Sequence, residues 1–163
     1  MDELAARVGL ALKSHGLMLA TAESCTGGGV AQAVTGIAGS SAWFERGFVT
    51  YSNLSKQEML GVAEATLIQY GAVSEAVVRE MVAGSLRHSR AQVALSVSGI
   101  AGPDGGTPDK PVGTVWFAWG MQGEVVQTQC HQIAGDRAQV RQHSVHIALQ
   151  GVIDLLNRYT QTA

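Results

Sequence analysis

LMLATAESCTGGGVAQAVTGI, residues 17–37, decides how this chain is read. LMLAT, residues 17–21, is a short apolar run that ends in a turn of small residues. Runs of that length, closed by turn signals, form buried strands. From about Cys25 to Gly36 the pattern becomes helical, with glycines in its first turn. A strand feeding a helix through a glycine-rich turn is the entry unit of an open α/β sheet, and ligands gather at the carboxyl ends of such strands. The same stretch sets two candidate nucleophiles, Ser24 and Cys25, directly before Thr26, Gly27 and Gly28.

Outward from that unit the alternation continues. Leu4, Val8, Leu10 and Leu12 recur at roughly helical spacing between Asp2 and His15, and Gly16 stands where a left-handed cap falls. RGFVTYSN, residues 46–53, reads as a second strand. Ser55-Lys56-Gln57-Glu58 matches the S-x-x-E capping box, which would make Ser55 the cap and Lys56 the first helical residue. SEAVVREMVAGSLR, 74–87, is a further helix, and AQVALSVS, 91–98, a third strand. All three prolines fall in the loop GIAGPDGGTPDKPVG, 99–113. GTVWFAWG and GEVVQTQCHQI make a hairpin about Met121-Gln122-Gly123, and a long amphipathic helix runs from about Asp136 to Tyr159. The expected fold is a single domain over residues 1–163, a three-layer α/β/α arrangement on a mixed, mostly parallel sheet.

At 163 residues, with 46% apolar and 15% charged side chains, the composition is that of an ordinary soluble protein with a sizeable core. Apolar runs such as VALSVSGIAG are too short and too broken by Ser and Gly to span a bilayer. The opening MDELAARVGLALKSHG lacks the basic start of a secretory signal, so the expected compartment is the cytoplasm. Eleven basic against thirteen acidic residues argue against a nucleic-acid or membrane-surface partner. Cys25 and Cys130 form no C-x-x-C pair, which speaks against structural zinc and against a disulfide framework. His143 and His146, three apart, have no acidic third ligand nearby in sequence, and no metal is expected.

Three small-residue stretches should meet at the strand ends: AESCTGGG, TYSNLSK and SGIAGPDGG. They lack the G-x-G-x-x-G and Walker spacings, so neither a dinucleotide fold nor a P-loop is indicated. Backbone N–H groups from Cys25 to Gly28 suit an anion or an oxyanion, and the same residues suit simple capping of a helix by Ser24 or Thr26. A serine nucleophile needs a base, and no histidine is an obvious partner. Lys56 fits better, because a helix start and partial burial both disfavour its charged form. A solvated lysine is the plain alternative. Tyr51 could tune the pair or simply pack. Cys25 would need a cationic neighbour to become a thiolate. Arg137 and Arg141, four apart, share a helix face that suits either a phosphate or solvent, and Glu23 suits either orienting Lys56 or a ligand's hydroxyls, or capping a helix.

AESCTGG, GFVTYSNLSK, GAVSE and SGIAGPDGGTPDKPVGTV occur in this order within a likeness running from about Leu4 to Leu155. They closely resemble the C-terminal domain of the competence/damage-inducible protein CinA. Stand-alone members of that family are nicotinamide-nucleotide amidohydrolases. The resemblance implies hydrolysis of nicotinamide mononucleotide to nicotinate mononucleotide and ammonia, within pyridine nucleotide salvage and without a cofactor. By the same resemblance Ser24 matches the nucleophile, Lys56 its base and Tyr51 the tyrosine beside them. Expected substrate contacts are Cys25, Thr26, Gly27 and Gly28, then Ser98, Gly99 and Gly102, then Arg137 and Arg141. Ser98 stands where the family's TGIAGP block has threonine, and keeps the hydroxyl. A homo-oligomer is implied. The alternative is a non-catalytic nucleotide-sensing domain, since family members also occur fused to another domain.

Overall fold

The computed structural model describes residues 1–162. In chain order its elements are α1 (Asp2–Ser14), β1 (Leu19–Glu23), α2 (Gly29–Thr35), β2 (Phe44–Val49), α3 (Asn53–Leu60), α4 (Glu64–Tyr70), α5 (Glu75–Arg87), β3 (Val93–Gly99), β4 (Thr114–Met121), β5 (Gln127–Gln132) and α6 (Arg137–Thr162). The strands form one sheet in the order β2-β1-β3-β4-β5.

β1 runs parallel to both β2 and β3, whereas β3–β4 and β4–β5 are antiparallel. The sheet is therefore evenly mixed, and the expectation of a mostly parallel one is corrected. The cause is local. β3, β4 and β5 follow one another with no crossover helix between them, and strands joined that way pair antiparallel.

Alternation along β3 explains why helices cover both faces. Val93, Leu95 and Val97 point into a core shared with α1, α2 and α6, while Ala94 joins Ala22 and Ala118 under α5 and α3. Bulky residues fill one face. Small ones let α5 lie close on the other. Gly84 extends that closeness to α3, because a Cβ there would collide with the Leu60 carbonyl. The seat of α3, and of the lysine one turn before Leu60, depends on that glycine.

Several boundaries depart from expectation, each for a physical reason. β1 starts and ends two residues later than LMLAT, so Glu23 closes the strand and Ser24 opens the turn. α2 begins only at Gly29, because Gly27 and Gly28 adopt left-handed backbone with φ of 57° and 97°. β2 stops at Val49, short of Tyr51. α3 is capped by Ser52, whose hydroxyl accepts from the Ser55 N–H at 3.0 Å, so Ser55 is not the cap. Lys56 is thus the fourth residue of α3, not the first, and the helix dipole acts on it less than the capping box implied. α4 is an additional short helix before Ser74. Gly16, with φ of 66°, takes the left-handed conformation expected after α1.

Gly84→Ala should lower the unfolding free energy by about 1–3 kcal/mol, seen as a lower urea midpoint. An unchanged midpoint would mean that α5 is not held against α3 by this close approach.

Candidate active site

Ser24 follows directly on β1, and its N–H donates to Val97 O at 3.0 Å, which carries the β1–β3 pairing one step past the strand. The chain then folds back in two tight turns, with Gly27 N–H donating to Ser24 O at 3.0 Å and Gly29 N–H to Thr26 O at 2.9 Å. Glu23, buried beneath, locks this turn. Its Oε1 accepts from the Thr26 hydroxyl at 2.6 Å and the Val30 N–H at 2.8 Å, and its Oε2 accepts from the Ala31 N–H at 3.0 Å. Of the two roles open to Glu23, the carboxylate performs the capping of α2. From α6, Arg141 holds the same turn by donating to Cys25 O at 3.1 Å and Thr26 O at 3.3 Å.

Lys56 is 1% exposed. Its Nζ lies 3.0 Å from Ser24 Oγ, 2.8 Å from Thr50 O and 3.2 Å from Tyr51 O. Burial lowers its pKa from the ordinary 10.5 to about 8, with a smaller opposing effect from Cys25. A neutral amine has two hydrogens and one lone pair. The two carbonyls can only accept, so they take the hydrogens, and the lone pair is left facing the Ser24 hydroxyl. A neutral amine so placed can accept a proton from that hydroxyl.

The pair opens into a cavity of about 210 Å³. Of the expected site residues, Ser24, Cys25, Tyr51, Lys56, Ser98, Gly99 and Arg137 line it. Thr26, Gly27, Gly28, Gly102 and Arg141 do not. The Thr26 hydroxyl is spent on Glu23, the Gly27 N–H on Ser24 O, and Gly28 caps α2. Thr26 and Arg141 instead border a separate groove of about 650 Å³ on the far side of the turn. Cys25 lines the cavity, and among the described residues its N–H donates to no other residue.

Arg137 spans the mouth, donating to Gly102 O at 2.8 Å and to the Tyr51 hydroxyl at 3.2 Å. Asn53, Ala72 and Val73 also line the cavity, and sequence reasoning gave them no role. The GAVSE block had pointed to the last two without a chemistry to attach. The Cys25 thiol is pushed up to about 11, chiefly by burial, so it stays protonated at neutral pH. His143 and His146 stand edge to face with ring centres 6.5 Å apart. Among the described residues no three His, Cys, Asp or Glu side chains are placed to hold a metal ion, and no helix is long and apolar enough to cross a membrane.

The model of the CinA C-terminal domain matches residues 1–156. The chain belongs to the CinA C-terminal domain family. A crystal structure described as the competence/damage inducible protein CihA from Agrobacterium tumefaciens superposes with a TM-score of 0.93 at 46% identity, over 96% of this chain and 94% of that one. The nicotinamide-nucleotide amidohydrolase PncC of Escherichia coli (strain K12) is 58% identical over 150 residues, 91% of this chain and 90% of that protein. The PncC of Pseudomonas putida is 53% identical over 152 residues, 93% and 94% of the two chains.

Within this CinA-type domain Glu23 is the residue on which the turn rests. Glu23→Ala strands the Thr26 hydroxyl and two backbone N–H groups, and should cost about 2–4 kcal/mol of stability in chemical denaturation. A loss below about 0.5 kcal/mol would mean that the carboxylate is not holding the turn. At neutral pH a thiol alkylating reagent should label exposed Cys130 before Cys25, as read by peptide mass spectrometry. Faster labelling of Cys25 would reopen it as a nucleophile.

Proposed function

We propose that this chain is a nicotinamide-nucleotide amidohydrolase that converts nicotinamide mononucleotide to nicotinate mononucleotide and ammonia by a Ser24–Lys56 mechanism. The observation that carries the mechanism is the 3.0 Å approach of the buried Lys56 Nζ to Ser24 Oγ, with Thr50 O and Tyr51 O occupying the amine's other positions. The substrate class follows from the two PncC relatives, each matched along nine-tenths or more of its length.

Neutral Lys56 takes the hydroxyl proton as Ser24 Oγ bonds to the carboxamide carbon. The carbonyl electron pair moves onto oxygen, and the resulting charge faces the Cys25 N–H. One such donor contributes about 3 kcal/mol to the transition state. Lys56, now an ammonium, passes the proton to the carboxamide nitrogen, the C–N bond breaks, and ammonia leaves. Water then loses a proton to Lys56 as its oxygen attacks the ester carbon. That proton returns to Ser24 Oγ as the acid departs. One water is consumed for each ammonia released.

A cavity of about 210 Å³ is smaller than the ~300–1,000 Å³ usual for small ligands. In this reading it receives the pyridine ring against Ala72, Val73 and Ala101, and the ribose phosphate extends past the mouth toward Arg137. The phosphate takes the place of the Tyr51 hydroxyl on that guanidinium. Arg141, committed to two carbonyls of the turn, positions the nucleophile. A homo-oligomer belongs to the same proposal, with exposed Val49, Tyr51 and Leu54 beside the mouth as the surface for a second copy.

Ammonia release from nicotinamide mononucleotide tests the proposal. Ser24→Ala and Lys56→Ala should each lower kcat by about 10³-fold or more, with the fold retained. Full activity in Ser24→Ala would overturn the nucleophile. Because only neutral Lys56 is a base, kcat/KM should fall about tenfold per pH unit below a pKa of about 8 and level off above it. A profile flat from pH 6 to 9 would remove Lys56 from the role. A wild type that binds the nucleotide and releases no ammonia would make this a sensing domain.

A further inference from the structure

Most buried hydroxyls among the described residues have partners. Ser96 donates to Val78 O at 2.7 Å, Ser85 to Met81 O at 2.9 Å and Ser144 to Val140 O at 2.7 Å. Ser98 breaks the pattern. It is 1% exposed and lines the catalytic cavity, no observed hydrogen bond within the protein involves its hydroxyl, and its oxygen, unlike that of Thr21, is not fully enclosed. Thr21 also lacks a partner, but its hydroxyl faces Gly47 inside the core, away from the cavity. A hydroxyl that opens on a cavity with no partner inside the protein is available to whatever binds there.

The strand register says what Ser98 would meet. β1 and β3 pair Ala22 with Ser96 and Glu23 with Val97, so the next step sets Ser24 opposite Ser98. Neighbouring strands stand about 4.8 Å apart, and paired residues point to the same side of the sheet. Lys56 reaches Ser24 from the side of β2, beside Thr50 and Tyr51. The nucleophile therefore stands between its base on one side and an unused hydroxyl on the other.

We propose that Ser98 reads the amide nitrogen of the substrate. Its Oγ accepts one N–H of the scissile carboxamide and keeps its own proton throughout. With the carbonyl oxygen directed to the Cys25 N–H, that bond fixes the remaining substituent of the reacting carbon. In the tetrahedral intermediate it turns the nitrogen lone pair away from Ser98 and toward Lys56, the group that must protonate it. Ser98 thereby selects a primary carboxamide over an isosteric ester, which has no N–H to offer. Threonine would serve equally, and alanine would not.

The assignment rests on the amidohydrolase reading, and its test keeps the two apart. Ammonia release from nicotinamide mononucleotide is compared with methanol release from the methyl ester of nicotinate mononucleotide, for wild type, Ser98→Ala and Ser98→Thr. Thermal unfolding of each variant is recorded alongside. Ser98→Ala should lower kcat/KM on the amide roughly 10- to 100-fold and on the ester less than about threefold. Ser98→Thr should restore most of the amide activity. Equal losses on both substrates, or no loss on the amide, would overturn the Ser98 assignment alone. A wild type that releases no ammonia would overturn the amidohydrolase reading and this assignment with it.

Discussion

An amine enclosed by three oxygen atoms governs this structure. Lys56 reaches the end of β1 only because α3 is launched at the right height and leans against α5 at the right distance. Ser52 fixes the launch by capping the helix, and Gly84 fixes the distance by presenting no side chain to Leu60. Thr50 and Tyr51, the residues between β2 and that cap, turn their carbonyls inward to meet the amine. Backbone oxygens thus do for this lysine what a carboxylate does for a catalytic histidine. They dictate which direction its lone pair faces, and they do so without adding a charge.

Ser24 is held by a complementary device. A buried carboxylate below the turn and a guanidinium from α6 take up its donors and acceptors in turn, so that Ser24 has little freedom beyond rotation of its own hydroxyl. Glu23 and Arg141 touch neither the cavity nor one another in the observed hydrogen bonds, yet both act on the same few residues. Nothing has to move to bring the Ser24 hydroxyl and the Lys56 amine together, which is preorganisation of the kind that demanding chemistry in a small cavity would need.

Much of this was legible in the sequence, and the limits have physical causes. Apolar runs and glycine turns marked the strands, helices and strand-end loops in order, apart from the short helix α4. The direction of β4 and β5 was harder, since a loop of Gly and Pro between β3 and β4 does not declare which way the next strand runs. The cap of α3 was misplaced because Ser52 and Ser55 both offer hydroxyls three residues before a usable N–H. The extended backbone at Ser52 decides between them, and that comes from the preceding strand. Ser24 and Lys56 could be named as a candidate pair from residue chemistry and the ordered motifs, and the fold brings the two side chains to 3.0 Å. The role of Glu23 and the missing partner of Ser98 depend on which atoms the fold leaves nearby, and no local pattern encodes that.

Burying Lys56 carries a consequence for the protein's tolerance of alkali. A folded chain whose lysine releases its proton near pH 8 competes with an unfolded chain that holds the same proton until about 10.5. Between those values the unfolded state binds more protons, so this group makes folding more favourable as the solution becomes more basic, and is an encumbrance at neutrality. Selection for thermal resilience alone would replace it with an apolar side chain of similar length. That the chain keeps an amine in its interior means that the molecule is tuned for something other than endurance.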